Sequence, residues 1–144
     1  MEYCRCFWRG SLVKYLMMEI EKSQLMKAVH DNNSLVLDLE CILSVVDETT
    51  DVLERANSSV TTKITIKNPR LNRVPPVGYV SEGQLEIDDK PKGFLPLNLE
   101  YKGDFRLSLT LGPDEFETEG DEIIIKTENS EIPSGYRKIP AMGW

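Results

Sequence analysis

Leu35-Val36-Leu37-Asp38-Leu39-Glu40-Cys41-Ile42-Leu43-Ser44-Val45-Val46 decides the fold, because it satisfies two templates at once. Leu35, Leu39, Ile42, Val46 and, further on, Leu53 recur at steps of 4, 3, 4 and 7 residues, which draws one stripe along an α-helix. Leu35, Leu37, Leu39, Cys41, Leu43 and Val45 also alternate with Asp38, Glu40 and Ser44, as a half-buried strand does. The portion that follows, Thr50 to Ala56, places Asp51 and Glu54 in a first turn and reads as helical. For residues 35–46 helix is the favoured template and strand the alternative, since the many β-branched residues count against a helix.

Toward the N-terminus the helical reading extends. Ser11 caps a first helix running to about Val29, and His30-Asp31-Asn32-Asn33 reads as its stop. Ser34 then opens the second periodic stretch, which ends near Ala56. Met18, Leu25, Asn32, Leu39, Val46 and Leu53 stand seven residues apart, with Ala28, Leu35, Ile42, Thr49 and Ala56 at the matching second position of a heptad. Val29, Val36, Leu43, Val45 and Val52 fill the flanking positions where a two-stranded coiled coil carries charges. An apolar face this wide suits helices packed within a domain, or a larger oligomer.

Toward the C-terminus the period changes to two. Val60 to Ile66, Val80 to Ile87, Leu95 to Glu100, Phe105 to Leu111 and Glu122 to Thr127 read as strands, with Tyr101-Lys102-Gly103-Asp104 as a hairpin turn. The expected fold class is therefore α+β: one or two N-terminal helices packed on a four- to five-stranded antiparallel sheet. The 144 residues form a single domain, in which 17–57 is helical, 58–128 is β and 129–144 is an irregular tail. Residues 1–16 read as an extension that packs on the body or on a partner, as sequence ahead of a start at Met17 or Met18, or as a targeting segment.

A net charge of −7 argues against general affinity for nucleic acid. No apolar run approaches the length needed to span a bilayer. Cys4, Cys6 and Cys41 make no disulfide framework, which favours a reducing, cytoplasmic setting. His30 is the one histidine, so multi-imidazole zinc sites are excluded, and its place among Asp and Asn reads as an exposed helix end, where the macrodipole favours a cation. Cys41 reads as a buried, inert thiol. The acidic run Asp114 to Glu122 only echoes a calcium loop: glutamates replace aspartates, and its last ligand position falls on Lys126. A solvated hairpin tip fits it better. Lys63, Lys67, Arg70 and Arg73 lie in a stretch without acids from Val60 to Ser81, which ends in the stiff connector Val74-Pro75-Pro76-Val77-Gly78-Tyr79.

No phosphate loop, nucleophile elbow or dinucleotide fingerprint occurs, and no catalytic, cofactor-binding or metal residue is assigned. The functional expectation is a non-catalytic interaction or assembly protein whose partner is a protein, itself first of all. It would self-associate through its helical half, with Leu39, Ile42, Val46 and Leu53 as contacts. The alternative is a small ligand-binding or enzymatic α+β domain with a pocket between helix and sheet, lined by residues of the kind of Arg106, Tyr101 and Tyr79.

Overall fold

Asn32 adopts a left-handed backbone (φ 53°), and with Asn33 it reverses the chain in two residues, so that Asp31 faces Ser34 across an antiparallel ladder. The residues expected to stop a helix thus make a hairpin turn. The computed structural model describes residues 15–46, 52–71, 73–128 and 137–138. Among these there is no helix, and the α+β expectation is replaced by an all-β architecture. The strands are β1 (Tyr15–Asp31), β2 (Ser34–Val46), β3 (Val52–Lys67), β4 (Gly78–Tyr79), β5 (Glu82–Ile87), β6 (Lys90–Lys92), β7 (Phe94–Leu95), β8 (Asn98–Lys102), β9 (Phe105–Leu111), β10 (Asp114–Glu119), β11 (Glu122–Glu128) and β12 (Arg137–Lys138).

The strand template wins in β2 because alternation there is unbroken. Leu35, Leu37, Leu39, Cys41 and Leu43 are all buried on one face, while Val36, Asp38, Glu40 and Ile42 lie on the other. A helix would have split that inner set around its circumference. The segment read as a helix around Thr50 to Ala56 is strand from Val52 onward, and Thr50 and Asp51 lie outside the described residues. So do residues 1–14, most of the tail after Glu128, and Cys4 and Cys6 within the first of these.

Two sheets form. The larger runs β12-β1-β2-β3-β11-β8, with β4 and β7 also on β1; the smaller runs β10-β9-β5-β6. β7 pairs with β1 at one edge of the larger sheet and β8 pairs with β11 at the other. Only Pro96 and Leu97 separate β7 from β8, a link that spans at most about 10 Å. The sheet must therefore curl until its edges meet. Hydrogen bonds across its interior agree: Met18 Sδ on β1 accepts from Thr62 Oγ1 on β3 (2.8 Å) and from Thr127 Oγ1 on β11 (3.3 Å), and Thr127 Oγ1 donates also to the Leu97 carbonyl (2.6 Å).

The smaller sheet packs on this curled one. Phe105, Leu107, Leu109 and Leu111 of β9 and Phe116 of β10 share one core with Leu35, Leu37, Leu39, Ile64 and Ile66. Burial of each such side chain stabilises by about 1.5–3 kcal/mol relative to exposure. Phe105 to Leu111 and Glu122 to Thr127 form strands where the alternation placed them. The Tyr101 to Asp104 turn does not make a hairpin, because β8 and β9 belong to different sheets. The acidic Asp114 to Glu119 is itself a strand, with the reversal at Gly112-Pro113 before it.

β1 accounts for the lost helix most directly. Between Glu19↔Ile42 and Gln24↔Glu40 it advances five residues against two, an excess of three, and between Leu25↔Leu39 and Lys27↔Asp38 it inserts Met26. The first bulge holds Lys22 at φ 69° and lets the chain leave at Val80 and return at Gly93, through Lys22 N–H to the Val80 carbonyl (2.8 Å) and Ile20 N–H to the Gly93 carbonyl (3.1 Å). The seven-residue step from Met18 to Leu25, less three bulged residues, is four, so both face the core. That step of the heptad is a by-product of the bulge.

Candidate functional site

Two surfaces concentrate exposed chemistry. The first is the outer face of the smaller sheet. Register sets Glu119, Arg106 and Glu86 in one row across β10, β9 and β5, then Glu117, Ser108 and Gln84, then Glu115, Thr110 and Glu82. Arg106 anchors the first row. Its Nη2 lies 3.1 Å from Glu119 Oε2, its Nη1 3.5 Å from Glu86 Oε1 and its Nε 3.8 Å from Glu117 Oε2. The hydrogen bond to Glu119, then the charges of Glu117, Glu119 and Glu86, raise the guanidinium above its ordinary value.

Beside Arg106 an open cleft of about 430 Å³ is lined by Arg70, Glu86, Asp88, Asp89, Asp104 and Glu119 among others. Asp88 and Asp89 form the β5–β6 turn, both left-handed (φ 54° and 60°). Arg70 closes the cleft through Glu119 (3.7 Å) and Asp121 (3.4 Å), and Arg73 holds Asp114 at 3.3 Å. The basic loop is thus engaged within the molecule. No group of three or more His, Cys, Asp or Glu side chains among the described residues is arranged to hold a metal ion. The three residues offered for a pocket do not converge on one. Arg106 lines the cleft, Tyr101 packs half-buried against the core, and Tyr79 stands exposed on β4 beside Gln24.

Nucleophile chemistry is equally sparse. The Cys41 thiol faces the core and is pushed up to about 12 by burial, which outweighs its hydrogen bond with Thr62. Glu19 and Ser44 are buried on the outer side of β1 and β2, where Ser44 Oγ donates to Glu19 Oε1 (2.7 Å). His30 is exposed, next to the hairpin turn.

The second surface is an open strand edge. On the side away from β2, β1 meets β12 at Tyr15 and Leu16, β7 at Met18 and Glu19, and β4 at Gln24 and Leu25. No strand among the described residues pairs with Met26 to Asp31 on that side. The reason lies in the connector. Counting back along the Gln24↔Tyr79 register puts Val77 opposite Met26 and Pro76 opposite Lys27, and prolines, having no N–H, cannot continue the ladder. Pairing stops there. In a two-residue hairpin the residues flanking the loop form a hydrogen-bonded pair, so Asp31, Val29 and Lys27 bond toward β2. The backbone groups of Ala28 and His30 then point outward.

The large apolar side chains that stay exposed among the described residues are Met26, Val29, Val74, Val77 and Tyr79, each between 40% and 62% accessible. Met26 and Val29 lie on this edge, Tyr79 is on β4 beside Gln24, and Val77 directly precedes β4. Val29 continues an apolar row over the outer face through Val36, Thr65 and Ile124, all half-exposed.

The residues expected as contacts fall elsewhere. Leu39 is buried in the core, and Ile42 lies half-buried on the opposite face of β2. Val46 and Leu53 lie in β2 and β3 with side chains outside the described residues. The structure thus puts Leu39 and Ile42 on opposite faces, and among the described residues of 17–57 there is no helix to carry self-association. What the sequence reading missed is the edge, whose signal was present in Pro75-Pro76 following a strand-breaking loop. Compared with known protein families, curated proteins and solved structures, the chain matches none.

Proposed function

We propose that this chain is a binding domain that adds an extended segment of a protein partner to the Met26–Asp31 edge of β1. One observation carries the reading: Met26 and Val29, two of the exposed large apolar residues, lie on β1 where it loses its outer neighbour, and exposed Tyr79 stands on β4 next to them. Strand addition at such an edge takes its affinity from main-chain hydrogen bonds and its selectivity from the side chains alongside. Natural sheets normally blunt an open edge with charge, bulges or cover; here the Met26 bulge and the single charges of Lys27 and Asp31 serve that purpose. A protein partner is favoured over nucleic acid by the net charge of −7 and the glutamate rows of the smaller sheet. No helix among the described residues is long and apolar enough to cross a membrane. A cytoplasmic setting belongs to the same proposal, supported by the free, buried Cys41.

The test is to pan a library of short random peptides on the native chain and on a His30→Pro variant, which removes one outward N–H and leaves the bonds toward β2. Enriched peptides should be retained by the native chain and lost by the variant, with both unfolding at the same urea midpoint. Equal retention by the two would overturn the reading.

A further inference from the structure

Resting on that reading of the β1 edge, we propose that its occupant is a second copy of this chain, paired antiparallel about a two-fold axis at Val29.

Hydrogen-bond parity limits the registers. The outward groups belong to Ala28 and His30, and an edge-to-edge ladder forms only when such residues face each other. Three symmetric registers meet that condition, centred on Ala28, Val29 or His30. Centring on Ala28 sets Val29 opposite Lys27 of the second copy, and centring on His30 sets it opposite Asp31 and runs Ala28 into the Asn32 turn. Centring on Val29 alone matches the chemistry. Val29 meets Val29, Ala28 and His30 exchange backbone bonds, and Lys27 meets Asp31 of the second copy on both sides of the axis.

The neighbouring strands extend the match. Across the outer face, one row reads Lys102, Glu122, Lys67, Ser34, Asp31. In the Val29 register it continues into Lys27, Asp38 and Lys63 of the second copy. Ser34 apart, charges of opposite sign follow one another from Lys102 across the junction to Lys63 of the second copy, beyond which Lys63 faces the like charge of Lys126. The adjacent row joins Ile124, Thr65, Val36 and Val29 to their equivalents and makes one apolar stripe from two short ones. The edge is complementary to itself, in charge and in apolarity, and this points to the same chain rather than an unrelated one. The association is isologous and closed, so it ends at a dimer and does not propagate.

Sedimentation equilibrium over a range of concentrations, with the native chain and the variants Lys27→Asp and Asp31→Lys, tests the proposal. Each variant sets like charges opposite each other at two places, which should raise the dimer dissociation constant about tenfold or more. An equimolar mixture of the two should restore the dimer. In the mixed pair the carboxylate introduced at position 27 of one chain faces the ammonium introduced at position 31 of the other. This recovery also shows that both variants fold. A native chain that is monomeric throughout overturns the proposal, as does a dimer that neither variant weakens or that mixing fails to restore. The failures are separable. If self-pairing fails while His30→Pro still loses its peptides, the edge binds a different protein; if His30→Pro retains them, the edge reading falls as well.

Discussion

The outer face of the smaller sheet and the edge of β1 that no described strand pairs both carry exposed side chains, but they handle their polar groups in opposite ways. On the face, Arg106 answers Glu86, Glu117 and Glu119, and Arg70 and Arg73 answer Glu119, Asp121 and Asp114. The backbone beneath is fully paired between β10, β9 and β5, and the Arg70↔Glu119 bridge covers the far end of β10. On the edge, the ladder stops where proline meets it, and apolar side chains stand exposed around the gap. Density of charge on the face therefore marks side chains that answer one another within the molecule. Interrupted pairing beside uncovered apolar groups marks an edge that no described strand completes.

The strongest way to break the comparison is to remove what both regions stand on. Leu109 lies on β9 between the two sheets, 2% exposed and within the common core. Leu109→Ala should cost about 2–5 kcal/mol, read as a lower urea midpoint at unchanged slope. The frame of the charged face is nearly as sensitive. A Cβ at Gly120 would lie 2.7 Å from Ile66 Cγ2 and 2.9 Å from the Lys67 carbonyl, whereas one at Gly93 would meet nothing within 4 Å. Gly120→Ala should therefore cost about 1–3 kcal/mol in the same measurement, and Gly93→Ala should change little. Equal effects at the two glycines would mean that the junction between β10 and β11 is looser than the contacts imply.

The same contrast explains what could be read beforehand. β9 was legible because Phe105, Leu107, Leu109 and Leu111 alternate without interruption against Arg106, Ser108 and Thr110, and its neighbours accept that parity throughout. β1 was not, because its two bulges scramble parity, and Met17, Met18, Glu19 and Ile20 are buried in succession on both faces. In β2 the strand signal was present, but spacing of 3 and 4 residues arises by accident whenever leucines fill every second place and isoleucine or valine intervenes. Local periodicity cannot decide between such patterns; the long-range pairing of β2 with both β1 and β3 does. The edge depended on the position of Pro76 relative to a strand not recognised as one.

A charge change on the face of the smaller sheet sharpens the comparison further. Arg106→Gln leaves Glu86, Glu117 and Glu119 facing one another without their shared cation. The urea midpoint should fall at low ionic strength and recover as salt is added, since these groups are exposed and screened. A deficit independent of salt would show that Arg106 acts through the packing of its stem, not its charge.

The smallest effect on folding is expected at the open edge, and its smallness is what separates the two regions. Val29 is 41% exposed and packs little against the core. Val29→Thr keeps the β-branched shape that suits a strand while removing a methyl from the apolar row. The urea midpoint should move by no more than corresponds to about 0.5 kcal/mol, the usual range for a surface position. The dimer dissociation constant should rise severalfold, because Val29 meets its own equivalent on the axis and each dimer loses two methyls from the centre of its contact. A large loss of stability with unchanged association would place Val29 in the fold rather than at an interface. Loss of association alone identifies a side chain whose burial is completed by the second copy.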